Sequence, residues 1–183
     1  MSPLRHELRN TLSPITMVVD MLAIRGDDPE LAVLSRGIQV LALHVDDLAS
    51  LSREAHGDLA IALQPVELST VVTSAVEGVS RHLAQTATAL DVRVPAKVYV
   101  RADPMCLALA LGSALRHCAL VSRELVLTTE RDAKTVIVRI AVGDRGLPPE
   151  GALVFARGLL ELQNGTCTLG DGLRISLPAA SIR

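Results

Sequence analysis

Aromatic residues are almost missing from this chain of 183 residues, which has one Tyr, one Phe and no Trp. It therefore has no platform on which bases could stack. Lys and Arg form no cluster, and the formal net charge is only −2. That removes the electrostatic footprint of a nucleic-acid binder. Cysteine is scarce too: Cys106, Cys118 and Cys167 are odd in number, far apart and without a CxxC pair. Neither a disulfide framework nor a zinc site is indicated, and a reducing cytoplasm fits. Long hydrophobic runs are also absent. The stretch 107–115 ends at Arg116-His117 and the stretch 15–24 is interrupted by Asp20, so neither is long enough to span a bilayer. The polar first residues do not resemble a signal peptide. Any sensor or membrane segment is expected to lie outside this chain.

Apolar side chains are plentiful, at 49% of the residues against 21% charged, which suits a globular chain. From Leu8 they fall at Leu8, Leu12, Ile15, Val19 and Leu22, alternating steps of four and three. That is the seam of a coiled-coil-like helix. Gly26-Asp27-Asp28-Pro29 breaks the pattern with turn residues. A second seam follows at Leu31, Leu34, Ile38, Leu41, Val45 and Leu48. Two such helices make an antiparallel hairpin, and a lone hairpin cannot bury both stripes. A homodimer closed as a four-helix bundle is expected.

Near Gly57-Asp58 the period changes. Strands are predicted at 60–63, 90–94, 97–100, 125–130, 135–142 and 173–177, and helices at 68–85, 104–121 and 151–163. The fold class is α+β: residues 1–56 form the dimerising hairpin, and residues 57–183 form an α/β sandwich with helices on one face of a sheet.

The first helix carries the chemistry. Measured from its seam, His6 and Asn10 stack on one solvent-facing strip, with Glu7 beside His6. A carboxylate at Glu7 would hold the imidazole Nδ1–H and leave Nε2 as a nucleophile, which makes a workable phosphoramidate site. A surface histidine on an amphipathic helix is more often merely solvated, and this applies to His44 near Asp46 and Asp47. A zinc site on His6-Glu7 would need a second His one turn later, where the chain has Asn10.

The surrounding residues favour the phosphoacceptor. His6-Glu7-Leu8-Arg9-Asn10 with Leu12-Ser13-Pro14-Ile15 strongly resembles the phosphoacceptor box of sensor histidine kinases. Val45-Asp46-Asp47-Leu48 through Leu51-Ser52-Arg53 resembles the end of their second dimerisation helix. The resemblance implies that His6 accepts the phosphoryl group, that Glu7 is its acid/base partner, and that Asn10 positions water for dephosphorylation of a receiver domain. One departure is Thr11, where the family usually has proline; Pro14 is expected to supply a mild kink instead.

The resemblance runs on through Gln64-Pro65-Val66-Glu67-Leu68 and Ala102-Asp103-Pro104, like the entry to the family's ATP-binding domain. There, two asparagines on the next helix hold magnesium and phosphates; the matching positions here are Ser113 and His117. Magnesium prefers hard oxygen ligands, so imidazole is a poor substitute and His117 is more simply a packed helix residue. Val142-Gly143-Asp144-Arg145-Gly146-Leu147-Pro148-Pro149-Glu150 resembles the first glycine box. In it Asp144 stands where the adenine amino group would be read, and Gly146 where the backbone must come close. The second glycine is missing, and Gly151 opens the last predicted helix at once, leaving no room for the family's lid.

With three elements of the nucleotide site degraded together, no intrinsic cofactor is expected. ATP and magnesium enter only if the chain is a divergent kinase. The resemblance then implies a histidine phosphotransferase that exchanges the group on His6 with the aspartate of a response-regulator receiver. A divergent sensor kinase and a non-catalytic dimeric scaffold are the alternatives.

Overall fold

The computed structural model describes residues 13–19, 21–22, 29–54, 60–143 and 146–180. The chain divides into two compact units, residues 1–57 and 58–183.

In the first unit residues 13–19 and 21–22 are helical (α1), and α2 runs Pro29–Glu54. Proline in the opening turn costs α2 no hydrogen bond, and Glu30 beside it favours the positive end of the helix dipole. The stripe predicted for α2 splits in two. Positions 31, 35, 38, 42, 45 and 49 are buried or half-buried. Leu34, Leu41 and Leu48, which the sequence pattern assigns to the same seam, are 50%, 49% and 60% exposed. The apolar arc of α2 is wider than one seam, so half of the predicted stripe remains at the surface. On α1 Val19 is buried, while Ile15, Met17, Val18, Met21 and Leu22 are exposed.

The second unit contains β1 (Gln64–Glu67), α3 (Leu68–Gln85), β2 (Ala89–Arg93), β3 (Tyr99–Ala102), α4 (Pro104–Ala119), β4 (Glu124–Arg131) and β5 (Thr135–Val142). A 3₁₀ turn (Glu150–Leu153), α5 (Val154–Glu161), β6 (Thr166–Leu169) and β7 (Leu173–Pro178) complete it. The main sheet has five strands in the order β2-β4-β5-β7-β6, and β1 and β3 form a separate antiparallel pair. Only β2 and β4 run parallel in the main sheet.

Strand alternation decides the face. Leu125, Leu127, Val136, Val138, Ile140, Leu173, Ile175 and Leu177 are buried, and the residues between them are more open to solvent. Helix α3 buries Leu68, Val71, Val72, Ala75, Val79 and Leu83 at helical spacing. Helix α4 is buried on most of its circumference, and so forms the centre of the core. Gly112 faces α3, where a Cβ would meet Val79 Cγ1 at 3.4 Å, an ordinary packing contact. This is the α+β architecture the sequence implies.

Several elements differ from prediction, four of them for a reason visible in the structure. Residues 60–63 are not a strand, because the Ala62 N–H is donated to the Asp103 carboxylate at 3.0 Å and not to a ladder. The strand predicted at 97–100 starts at Tyr99, since Lys97 is in the left-handed region at φ 62° and its N–H is donated to Glu67 Oε1 at 2.9 Å. The helix predicted at 151–163 is split by the 3₁₀ turn, in which the Ala152 N–H bonds Pro149 O at 2.9 Å. Strand β6, absent from the prediction, follows a turn through Asn164 at φ 57°.

Candidate functional site

His6, Glu7, Asn10 and Asp144 lie outside the described residues. What the structure places is the floor and the rim of the region where the sequence resemblance expects a nucleotide.

The floor is α4. Asp103 caps its first turn, accepting the Cys106 N–H at 3.0 Å on one carboxylate oxygen and the Ala62 N–H at 3.0 Å on the other. The Asp103 N–H is in turn donated to Gln163 Oε1 at 2.9 Å, and Gln163 Nε2 donates to Leu159 O at 2.8 Å. Gln163 is fully buried. These four bonds tie the approach to β1, the start of α4 and the end of α5 into one hydrogen-bonded knot. Asp103 was legible as a cap from its place before Pro104. Gln163 was not, because its partner lies 60 residues away in the chain.

Ser113 and His117 sit on α4 one turn apart, and both are 0% exposed. Neither offers an atom to solvent. A magnesium–nucleotide complex needs oxygen ligands facing an open site. A closed hydroxyl and a closed imidazole do not fit that requirement. Among the described residues no group of His, Cys, Asp or Glu side chains is placed to hold a metal ion.

The rim is the short link between β5 and the 3₁₀ turn that leads into α5, described at 143 and 146–149. Its start is fixed by Ser122, whose Oγ accepts the N–H groups of Gly143 and Glu124, each at 3.1 Å, and donates to Glu124 O at 2.7 Å. A Cβ at position 143 would lie 3.2 Å from that Oγ, so a side chain there would make Ser122 give by a few tenths of an ångström. Gly146 has φ +89° in open space, a conformation that side chains resist. Pro148 is buried and Pro149 follows it, so the loop ends rigidly and short of donors.

The thiols are not candidate nucleophiles. Burial pushes Cys106 up to about 11, with the nearby Asp103 carboxylate adding to the effect. Cys118 is pushed up to about 12 by burial and by Cys167 beside it; burial likewise takes Cys167 to about 11, opposed by Arg157. All three therefore stay protonated near neutral pH.

No family model matches the chain. Among curated proteins it is similar to the sensor histidine kinase MtrB of Mycolicibacterium paratuberculosis, at 29% identity over 201 aligned positions that take in 99% of this chain. The chain spans about a third of that relative's length, 34%. Among solved structures it resembles the Acinetobacter baumannii histidine kinase AdeS, with a TM-score of 0.58 at 18% identity, covering 96% of this chain and 97% of that one. Full-length ShkA in complex with AMPPNP gives a TM-score of 0.55 at 17% identity, covering 96% of this chain and 44% of ShkA. The mycobacterial sensor histidine kinase MprB gives 0.52 at 17% identity over 66% of this chain and all of the other. At these identities the structural likeness is one of fold. No helix among the described residues is long and apolar enough to cross a membrane.

Proposed function

The chain is a relative of the sensor histidine kinases, and from that premise we propose that it is a dimeric histidine phosphotransferase which exchanges a phosphoryl group on His6 with a response-regulator receiver aspartate without using ATP. The observation that carries this reading is the closure of Ser113 and His117, both 0% exposed at the positions where the family's nucleotide ligands would stand. The short, proline-ended link from β5 to the 3₁₀ turn points the same way.

In the exchange, His6 Nε2 attacks the phosphorus of the receiver's aspartyl phosphate. The P–N bond forms as the P–O bond to the aspartate breaks, and the carboxylate leaves with the bonding electron pair. Glu7 holds the Nδ1–H, keeping the tautomer that frees Nε2. The receiver brings its own magnesium, so nothing is asked of α4. Asn10 orients water when the phosphoryl group is to be hydrolysed.

Two surface features support the partners. Leu34, Leu41 and Leu48 recur at heptad spacing along α2 and are half exposed or more, as expected of a seam completed by a second copy. Met17 and Met21 are 64% and 43% exposed, and on the helical period they continue the strip of His6 and Asn10. Methionine adapts to varied apolar surfaces, which suits a receiver seated below the acceptor.

One observation favours a second reading, a divergent ATP-dependent kinase: the similarity to MtrB takes in 99% of this chain, the second unit included. The test is to mix the protein with labelled ATP and, separately, with a labelled phospho-receiver. Acid-labile label is expected from the receiver alone, on wild type and not on His6→Gln. Label from ATP would establish the kinase, and label from neither source would leave a non-catalytic scaffold.

A further inference from the structure

The outer face of α5 is apolar where a helix at the surface of a completed domain is normally polar. Ala156, Leu159 and Leu160 point into the core. On the opposite side stand Val154, 62% exposed, and Leu162, 55% exposed, with the exposed Gly158 midway between them. Positions 154, 158 and 162 form one ridge along the helix. A Cβ at Gly158 would meet nothing within 4 Å, so the glycine is not needed for packing inside the chain. What it provides is a notch between two apolar side chains.

Beside the ridge, on one flank, lie Arg157 and Glu161. Arg157 is half-buried with its Nε shut from solvent, so it is the terminal guanidinium nitrogens that would meet a partner. Glu161 is exposed, and no ion pair joins the two. Two helices related by a two-fold axis perpendicular to their length, lying in the contact, run antiparallel and present the same flank to each other. Rotation about Gly158 sets Val154 of one copy against Leu162 of the other, twice. The same rotation brings Arg157 of each copy toward Glu161 of its mate. The ridge and the charges are thus complementary to themselves, and the notch allows close backbone approach.

We propose that α5 is a contact between two copies of this chain, antiparallel about Gly158, closed by the Val154 and Leu162 side chains and by reciprocal Arg157–Glu161 pairs. The face is small compared with a free-standing interface. It acts between copies already held together, where the effective concentration is high. In that respect it rests on the homodimer proposed above.

The test uses the full chain with Gly158→Cys, a substitution that has room on the surface. The native thiols Cys106, Cys118 and Cys167 are all buried, so the new one dominates labelling by a short bis-maleimide. Arg93→Cys, on the exposed edge strand β2, serves as the control. Solution mass is measured first, because a monomer would overturn the homodimer on its own and the α5 contact with it. In a dimer, Gly158→Cys is expected to cross-link at least tenfold faster than Arg93→Cys. Adding Glu161→Arg should remove that advantage, and adding Arg157→Glu as well should restore it. A dimer in which Gly158→Cys cross-links no faster than the control, or in which Glu161→Arg changes nothing, would overturn the contact while leaving the homodimer standing. Loss of Gly158→Cys reactivity only when a receiver domain is added would overturn it too, by giving the face to that partner.

Discussion

Leucines repeated along one face of a helix meet opposite fates in the two units. In α4, Leu107, Leu111 and Leu115 are all 0% exposed, enclosed by helices and sheet of the same unit. In α2, Leu34, Leu41 and Leu48 are 50%, 49% and 60% exposed. Similar patterns therefore mean different things: one unit completes its core within itself, and the other leaves an apolar stripe for another surface to cover. Polar burial does not separate the units, since α2 itself buries Ser35 and Asp47. The second unit buries Ser113, His117 and Gln163 away from any solvent-borne ligand, and Gln163 ties Asp103 to the end of α5.

The contrast can be broken most directly by truncation. Leu111→Ala should cost about 2–5 kcal/mol of second-unit stability in urea unfolding, since a filled core site becomes a cavity. Leu41→Ala, measured in protein diluted below its dimerisation range, should cost no more than about 1 kcal/mol. Equal losses would mean that α2 is already covered within one chain. Asp103→Ala removes the α4 cap and strands the Ala62 N–H, for an expected loss of about 2 kcal/mol. Leu34→Lys with Leu41→Lys should weaken dimerisation by tenfold or more in sedimentation, about 1.4 kcal/mol, while the near-ultraviolet signature of the second unit is unchanged.

A further effect is one of pH. Cys118 is held at about 12 and Cys106 and Cys167 at about 11, above an ordinary value of 9.0. Unfolded thiols ionise first, so the unfolded chain gains stability as pH rises past that ordinary value. The second unit should keep its full thiol contribution below pH 9 and lose it progressively between pH 9 and about 11–12. Cys118→Ala should flatten that slope in urea midpoints taken across the same range.

Helix α3 was legible to the residue, because its buried positions repeat cleanly from Leu68 to Leu83 and Gln85 is followed by a turn. Strand β5 was equally plain, with its alternation bounded by the Asp132-Ala133 turn. What the pattern concealed was tertiary. Residues 60–63 look like a strand until Asp103 claims their N–H. Position 34 looks like a seam residue until neighbouring side chains take the inside of α2. Strand β6 is too short to announce itself, although Asn164-Gly165 before Thr166 is a turn signal that could have found it. The candidate site followed the same rule. Ser113 and His117 could be placed on α4 from sequence, whereas their complete burial depends on packing from elements far away in the chain.

The proposed loss of the nucleotide site is tested most directly by equilibrium titration of the full chain with Mg·ATP. No saturable binding is expected up to about 1 mM ligand, where a competent site would have filled. Saturation in the micromolar range, weakened by Asp144→Asn, would contradict the closed α4 site and make this chain a kinase.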